Sequence, residues 1–392
     1  MPSSRRPVNR VLFSLSLLAL ALLWGLDTGT VVPNRIMPGT GHGPVDGIGI
    51  GLALAISLGL AGVALLALLP SAPRDAFITV LLTALLVSVP FLLDHFITRK
   101  MADAGPYARA GIGAGLWCLL FLLVLMLGES LKYARWRRLW QPLILVITLG
   151  AWGLAVSQGR LDALALVREF QARPGPFMEA LSAHLLLAIG SVLVSLLIGF
   201  LLAVSGLHRP RWRSLVLNTV SFLQTIPSLA LFGLLIAPLS LLVDAVPALK
   251  AFGISGIGWA PAFLALVAYS LLPMVRNTHV ALTGVASDVL DAAQAMGMNG
   301  WQRFVQVRLP LAMPVVLEGI RITTIQAIGL TAVAALVGAG GFGTFIFQGL
   351  GQAAMDLVML GALPTIALAL IADTVFGGLT RWLAPPGQEP TR

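Results

Sequence analysis

The feature that most constrains this chain is a series of ten long apolar blocks, each 16 to 29 residues long and almost free of charge. The blocks run from 11 to 26, 48 to 69, 76 to 93, 112 to 128, 140 to 156, 184 to 205, 215 to 243, 257 to 275, 322 to 337 and 357 to 379. A helix needs about 20 such residues to cross a bilayer. Only 10% of the chain is charged, whereas a soluble domain carries roughly 25% charged residues. The sequence therefore predicts an all-α, polytopic membrane protein with about ten transmembrane helices.

The first block has two interpretations. Arg5, Arg6 and Arg10 precede a 16-residue apolar stretch, which is also the pattern of a secretory signal peptide. No small-x-small cleavage site follows Trp24, and this favours a retained span over a cleaved one.

The orientation of the spans follows from the positions of the positive side chains, because cytoplasmic loops retain Lys and Arg. When both termini are placed in the cytoplasm, most of the 25 Lys and Arg residues fall on that side. The bias is strongest in the two short loops at 132–138 and 209–213, where the rule is most reliable. We therefore expect both termini to be cytoplasmic.

The positive charge does not indicate nucleic-acid binding. The formal net charge is +9, but the arginines stand in short clusters separated by apolar blocks, so they cannot line one basic groove. Cys118 is the single cysteine, which rules out an intrachain disulfide. The five histidines lack zinc-type spacing, and no His, Asp or Ser constellation suggests catalysis. We expect that the chain has no metal site and no catalytic residues, and that it is not an enzyme.

A polar stretch divides the chain into three predicted regions. We expect an N-terminal membrane region of five spans at 1–156, an external connecting segment at 157–183 and a C-terminal region at 184–392. The connecting segment carries one apolar helical face, formed by Ala163, Leu166, Val167 and Phe170. Because Glu169 and Arg173 are spaced to pair, the pattern predicts a short helix on the membrane surface. Pro174 and Pro176 are expected to end it.

Between the eighth and ninth blocks lies a predicted cytoplasmic loop at 276–321, the longest polar insertion in the chain. Ser287 is placed to cap a helix that carries Asp291 near its positive end. Gly297 and the Asn299–Gly300 pair then interrupt that helix. The loop therefore begins as a helix followed by a tight turn.

A second short helix is expected from Trp301 to Leu309, with Pro310 ending it. The resulting helix-turn-helix, which we call the elbow, exposes backbone at Ala292, Ala293 and Gly297. Such a tip suits insertion into a groove on another protein. From the pattern alone, an amphipathic helix lying on the membrane surface remains an equal alternative.

Seven residues of the elbow stand at a fixed spacing: Asp291, Ala292, Ala293, Gly297, Val307, Leu309 and Pro310. They resemble the E-A-A-x3-G-x9-I-x-L-P signature of ATP-binding-cassette (ABC) importer permeases, with Asp291 in place of glutamate and Val307 in place of isoleucine. The resemblance implies that this loop docks into a cleft of an ATPase subunit. It also implies that the C-terminal half is a five-helix type I ABC importer permease core.

Two further segments resemble permeases that import the osmoprotectants glycine betaine, choline or carnitine. The first segment is Gln224-Thr225-Ile226-Pro227-Ser228 with its continuation to Gly233. The second is Gly338-Ala339-Gly340-Gly341-Phe342-Gly343. The extra N-terminal half resembles the long form of that family. We expect these segments to border the translocation path, through Gln224, Thr225, Pro227, Ser228, Gly338, Gly340, Gly341 and Gly343.

Both segments also have a purely structural interpretation. Pro227 frees a backbone carbonyl in mid-membrane, which Thr225 and Ser228 are placed to satisfy, and the result is either a packing kink or a gate. The glycine run permits either close helix packing or a non-helical external turn.

The resemblance implies a permease of the bacterial inner membrane that works with two ABC ATPase subunits, a second permease subunit (an identical copy or a paralogue) and an external solute-binding protein. The chain has no G-x4-G-K-[ST] motif, so ATP and Mg²⁺ are expected on the partner ATPase and no cofactor on this chain. The alternative is an ion-coupled secondary transporter or channel acting without an ATPase. Ionisable groups such as Asp373 lie near the span ends, which favours an external energy source.

Overall fold

The structure is a computed structural model that describes residues 8–34, 37, 39–70, 74–132, 137–207 and 209–383. It divides into two compact units, Met1–Ala172 and Arg173–Arg392. In the described part of the chain, nine helices are long and apolar enough to cross a membrane, and the first helix is a shorter apolar one. The prediction of a polytopic α-helical membrane protein is therefore confirmed. Arg5, Arg6 and Arg135 of the predicted charge pattern lie outside the described residues.

The described helices of the first unit are α1 (Arg10–Gly25), α2 (Pro44–Ile48), α3 (Ile50–Leu68), α4 (Arg74–Lys100), α5 (Ala114–Lys132), α6 (Arg137–Ser157) and α7 (Ala165–Ala172). The first apolar block is part of the core of this unit. The Asn9 side chain caps α1 by accepting from the Leu12 amide at 3.1 Å, and the Asn9 amide donates to the Ala67 carbonyl at 3.0 Å. Leu12 and Leu23, at opposite ends of α1, are both fully buried between α3 and α5. α1 is thus packed as a helix of the bundle.

A small antiparallel sheet in the first unit was not predicted. It contains β1 (Gly29–Val32), β2 (Thr40–His42) and β3 (Arg109–Ile112), in the order β2-β1-β3. A Cβ on Gly29 would lie 2.5 Å from the Phe96 ring, so glycine lets the sheet lie directly on α4. Because successive spans alternate in direction, the segments after α1, α4 and α6 all emerge on one side of the membrane, where this sheet joins them.

The connecting helix α7 packs on this sheet. The Ala110 amide in β3 donates to the Ala163 carbonyl at 2.9 Å. Glu169 is buried, and its carboxylate accepts from Arg109 at 2.5 Å. The pairing of Glu169 with Arg173 stays a prediction, and Arg109 on β3 is a further partner of the carboxylate that the sequence did not indicate. α7 ends at Ala172, just before Pro174, as predicted, and Pro174 in turn begins α8, where its missing N–H costs nothing.

A charged cluster ties α2 to the end of α4. Asp46 accepts from Lys100 Nζ and contacts His42 Nδ1, each at 2.5 Å. These hydrogen bonds, first from Lys100 and then from His42, lower the pKa of Asp46 to about 2. The Arg99 guanidinium also donates to the Asp46 backbone carbonyl at 3.2 Å. Polar contacts thus hold the sheet side of the first unit at two places, the Asp46 cluster and the Glu169–Arg109 pair.

The described helices of the second unit are α8 (Pro174–Ser205), α9 (Pro210–Thr225), α10 (Ser228–Ala245), α11 (Trp259–Thr283), α12 (Ser287–Ala295), α13 (Gly300–Gln302), α14 (Leu309–Ala334), α15 (Gly343–Gly351) and α16 (Met355–Leu383). Residues Pro247–Phe252 and Ala335–Val337 form 3₁₀ turns, and Arg303–Arg308 form a π-helical segment. The central helix is α11, which packs against α8, α9, α10 and α14. The seventh apolar block is two helices, because the chain leaves helical geometry at Ile226 and Pro227.

Candidate functional site

The turn of the elbow is a complete helix-terminating motif. Gly297 has a φ of +87°, the left-handed conformation that only glycine adopts without strain. The Met298 amide donates to the Ala293 carbonyl at 3.2 Å, and the Gly297 amide donates to the Gln294 carbonyl at 2.9 Å. This pair of bonds is the Schellman arrangement, which satisfies the last carbonyls of α12. Gly297 therefore interrupts the helix, as predicted, and does so through a positive-φ turn.

The next residues start the second arm of the elbow. The Asn299 side chain accepts from the Gln302 amide, and the Gln302 side chain accepts from the Asn299 amide, each at 2.9 Å. This reciprocal capping box follows directly on the Schellman turn. Arg303 then donates to the Gln294 side chain, which joins the two arms. The elbow is therefore fixed by its own hydrogen bonds.

Two predictions about the elbow are wrong in detail. Ala286, not Ser287, is the N-cap of α12, and it provides no side-chain bond. Pro310 does not end the second arm, because the helix continues without interruption into α14. The π-helical turn at Arg303–Arg308 shifts the backbone hydrogen bonds just before Pro310, where a regular helix would need the missing N–H.

The signature residues divide into an inner and an outer set. Ala293 is buried, and Leu309 packs on a cluster formed with Leu282, Ala312 and Val316. Val307 is half-buried, while the other four are exposed: Asp291, Ala292, Gly297 and Pro310. The inner set holds the elbow on the ends of α11 and α14. The outer set presents small side chains and backbone to solvent.

Sequence reasoning missed two large apolar side chains on the elbow. Met296 is 76% exposed and Trp301 is 73% exposed, one on each side of the Gly297 turn. Trp301 stacks on Phe304 with ring centroids 6.2 Å apart, so its ring is held in place. An exposed and positioned tryptophan is typical of the centre of a protein interface. A pattern search for large apolar residues next to the turn would have found both.

The break between α9 and α10 is held by Tyr269 of α11. The Gln224 side chain donates to the Tyr269 carbonyl at 2.7 Å, and the Tyr269 hydroxyl donates to the Ile226 carbonyl. Thr225 donates to the Phe222 carbonyl at 2.7 Å. Thr225 thus satisfies a carbonyl of the last turn of α9, in line with expectation, while Tyr269 satisfies the Ile226 carbonyl at the break itself. The break is a fixed feature of the membrane interior rather than a loose kink.

The glycine run is a non-helical turn built around His184. Gly338, Gly340 and Gly341 each have a φ of +79°. A Cβ on Gly343 would lie 1.8 Å from the Ala332 carbonyl oxygen, so this position needs glycine for space instead. The buried His184 ring accepts from the Phe342 amide at 3.3 Å and donates to the Ile328 carbonyl at 3.1 Å. This histidine is therefore a core residue with both ring nitrogens hydrogen-bonded.

The structure brings the break and the glycine turn to the same core. Ile226 and Phe232 beside the break pack in one cluster with Val337 and Ala339 beside the turn, and Tyr269 lies among them. The elbow follows the other end of α11 and makes no part of that cluster. Asp373, predicted to lie near a span end, pairs with Arg321 at 2.6 Å, and Arg321 also lies 3.2 Å from Glu318. The predicted residues thus form two separate sites.

Two known families match most of the chain. Residues 195–386 match the family described as binding-protein-dependent transport system inner membrane component. Residues 9–167 match the family described as ABC transporter permease YehY, N-terminal domain.

Several curated proteins are similar to this chain. The carnitine transport permease protein OpuCB of Listeria monocytogenes is 32% identical over 228 residues, which are 58% of this chain and 97% of the relative. The osmoprotectant import permease protein OsmW of Salmonella typhimurium is 38% identical over 205 residues, 52% of this chain and 90% of the relative. OsmY of the same organism is 33% identical over 246 residues, 62% of this chain and 92% of the relative. Each relative is matched over nearly its whole length by little more than half of this chain.

Proposed function

Because this chain belongs to the family of binding-protein-dependent transport system inner membrane components, as the permease subunit of an ABC importer, we propose that its solute is a quaternary ammonium osmoprotectant. The observation that supports this most is the similarity to permeases named for carnitine and osmoprotectant import. Glycine betaine, choline and carnitine share a compact cationic head, which defines the proposed solute class. The added N-terminal unit makes this a long form of such a permease.

The proposed assembly contains two ABC ATPase subunits, two permease subunits and an external solute-binding protein. ATP and Mg²⁺ bind the ATPase, and the elbow is the part of this chain that docks on it. Support comes from the exposed Met296 and Trp301 and from the hydrogen bonds that fix the arms. A rigid elbow joined directly to α14 transmits a rotation of the ATPase to the spans as a rigid-body movement.

The proposed translocation path passes the break at Gln224–Ser228 and the glycine turn at 338–343. Both segments interrupt helices, and within a membrane such interruptions are tolerated where backbone is buried in protein or lines a water-filled cavity. Tyr269 and His184 hold the two interruptions in place. The residues proposed to border the path are Gln224, Thr225, Pro227, Ser228, Gly338, Gly340, Gly341 and Gly343.

Uptake measurements test the proposed solute. We expect the chain, reconstituted into vesicles with the ATPase and binding protein that co-purify with it, to import radiolabelled glycine betaine only when ATP is supplied. An ATPase variant that cannot hydrolyse ATP serves as the control. Uptake driven by an ion gradient without the ATPase would favour a secondary transporter, and uptake of another solute without betaine competition would remove the proposed solute class.

The proposed location is the bacterial inner membrane with both termini in the cytoplasm. We expect reporters fused after Arg138, Arg211 and Gly300 to read cytoplasmic, because basic clusters flank the first two positions. A reporter fused within α7, near Ala165, should read external. Paired alkaline phosphatase and green fluorescent protein fusions make this measurement, and a cytoplasmic reading at Ala165 would contradict the ten-span arrangement.

A further inference from the structure

Helix α9 lies along the half of α11 that is nearer the elbow. At its start, Arg213 Nη1 is 3.4 Å from His279 Nε2, close to the elbow end of α11. At its end, the Gln224 side chain donates to the carbonyl of Tyr269, near the middle of the 25-residue α11. The two contacts place the end of α9 at mid-membrane depth.

One exposed face of α9 is polar, with the exposed apolar side chains of Leu215 and Phe222 beside it. Val216 and Val220 are buried against the rest of the second unit. The opposite face is polar and exposed, and it consists of Ser214, Asn218, Ser221 and Thr225. With 3.6 residues per turn, these four side chains fall within a sector of about 60°, centred roughly opposite Val216 and Val220. We call this face the polar stripe.

Helix α8 of the same unit shows what a lipid-facing surface looks like here. Its exposed side chains Leu186, Leu193, Leu197 and Leu201 repeat along one face and are 58% to 73% exposed. In contrast, α9 is not among the helices apolar enough to cross a membrane in the described part of the chain. Polar side chains at membrane depth usually face a bundle interior or a water-filled cavity. The polar stripe therefore does not face lipid.

We propose that the polar stripe lines the water-filled part of the import path on the elbow side of the break. This rests on the proposed import function and adds Ser214, Asn218 and Ser221 to it. The stripe carries hydroxyl and amide groups without charge, and these bond to one another and to backbone: Asn218 donates to Ser214 at 3.5 Å, and Thr225 donates to the Phe222 carbonyl. A neutral wall whose polar groups are already hydrogen-bonded leaves a passing cation hydrated by water and does not bind it tightly.

Cysteine reactivity tests the stripe. The single native cysteine is replaced by Cys118→Ala, and each stripe residue is changed to cysteine in turn. Permeabilised membranes are treated with a water-soluble methanethiosulfonate that carries a quaternary ammonium group. Thiols react as thiolates, which form in water and not in lipid. We expect all four stripe cysteines to react at least about tenfold faster than the controls.

The controls separate three surroundings of α9. Val220→Cys is buried, Leu193→Cys on α8 is exposed on an apolar face, and Leu215→Cys and Thr219→Cys are exposed on α9 but off the stripe. If the stripe cysteines were labelled as slowly as Leu193→Cys, the proposal would be overturned, because the stripe would then face lipid. Equally fast reaction at Leu215→Cys and Thr219→Cys would overturn it in favour of a helix surrounded by water.

The labelling is independent of the solute. If glycine betaine is not imported but the stripe reacts with the expected periodicity, the proposed solute fails and the stripe stands. If import is normal and the periodicity is absent, the stripe fails alone. When both hold, modification of Thr225→Cys should block import, while treatment of Leu193→Cys should leave it unchanged.

Discussion

Gly297→Asp should abolish import and the association with the ATPase while the permease accumulates normally in the membrane. The substituted residue must adopt a φ of +87°, which costs an L-residue roughly 1–2 kcal/mol. It also places a carboxylate at the tip of the elbow, where docking would bury it without a partner. An uncompensated buried charge typically costs about 3 to 5 kcal/mol, enough to weaken docking more than about a hundredfold. The spans do not depend on this turn, so insertion should be unaffected.

Two alanine variants separate the backbone effect from the charge. Gly297→Ala and Gly300→Ala each add a Cβ that meets nothing within 4 Å in this chain, but only Gly297 has a positive φ. We expect Gly297→Ala to weaken docking and Gly300→Ala to leave it nearly normal. Co-purification of the ATPase and ATP-dependent uptake are the measurements. Normal transport by Gly297→Asp with its ATPase still bound would show that the elbow does not couple to the ATPase.

Gly343→Ala should strongly destabilise the second unit. The added Cβ would lie 1.8 Å from the Ala332 carbonyl oxygen and 2.8 Å from the Ala335 Cβ, so α14 and α15 must move apart. Forcing extra volume into a packed core costs typically 1 to 3 kcal/mol, and here the obstacle is backbone, so we expect about 3 kcal/mol. The glycine turn held by His184 would be displaced with it. Uptake should fall with the fraction of folded protein.

Gly329→Ala is the matched control for this variant. Gly329 lies within α14, and a Cβ there meets nothing within 4 Å. Alanine is favoured over glycine inside a helix by about 1 kcal/mol, so this change should be neutral or stabilising. Thermal unfolding of the two purified variants in detergent compares them directly. Equal melting temperatures would mean that α14 and α15 are not packed as closely as the structure has them.

The membrane fold was predictable because its signal is local. A span needs only a long apolar run, and nine of the expected ten are candidate spans of the described chain, with α1 as a shorter helix. The division of the seventh block was only partly predictable, since Pro227 indicated a kink, but the flanking Gln224, Thr225 and Ser228 carry no charge that would divide the block into two. The sheet was missed because its strands have three or four residues, and because the spans α3 and α4 separate β3 from its partner β1.

The two candidate sites also differ in how far apart in sequence their interacting residues lie. The elbow was predictable because Gly297, Asn299 and Gln302 act within a few residues of one another. The groups that hold the path segments act at long range: Tyr269 satisfies a carbonyl next to Pro227, and His184 holds a turn near the other end of the unit. No spacing rule links such pairs, so the sequence suggested local hydroxyl groups instead. The sequence thus identified segments more reliably than partners.

The sheet of the first unit sets an order for the assembly of this membrane protein during synthesis. β1 emerges after α1, but its partner β3 follows only when α3 and α4 have been made. At about 5–20 residues per second, β1 waits several seconds with an unpaired edge. α7 then docks on β3 only after α6. Closure of this sheet therefore requires three spans to have been threaded in the correct direction, and the docking of α7 requires five, which makes the N-terminal unit a checkpoint for insertion.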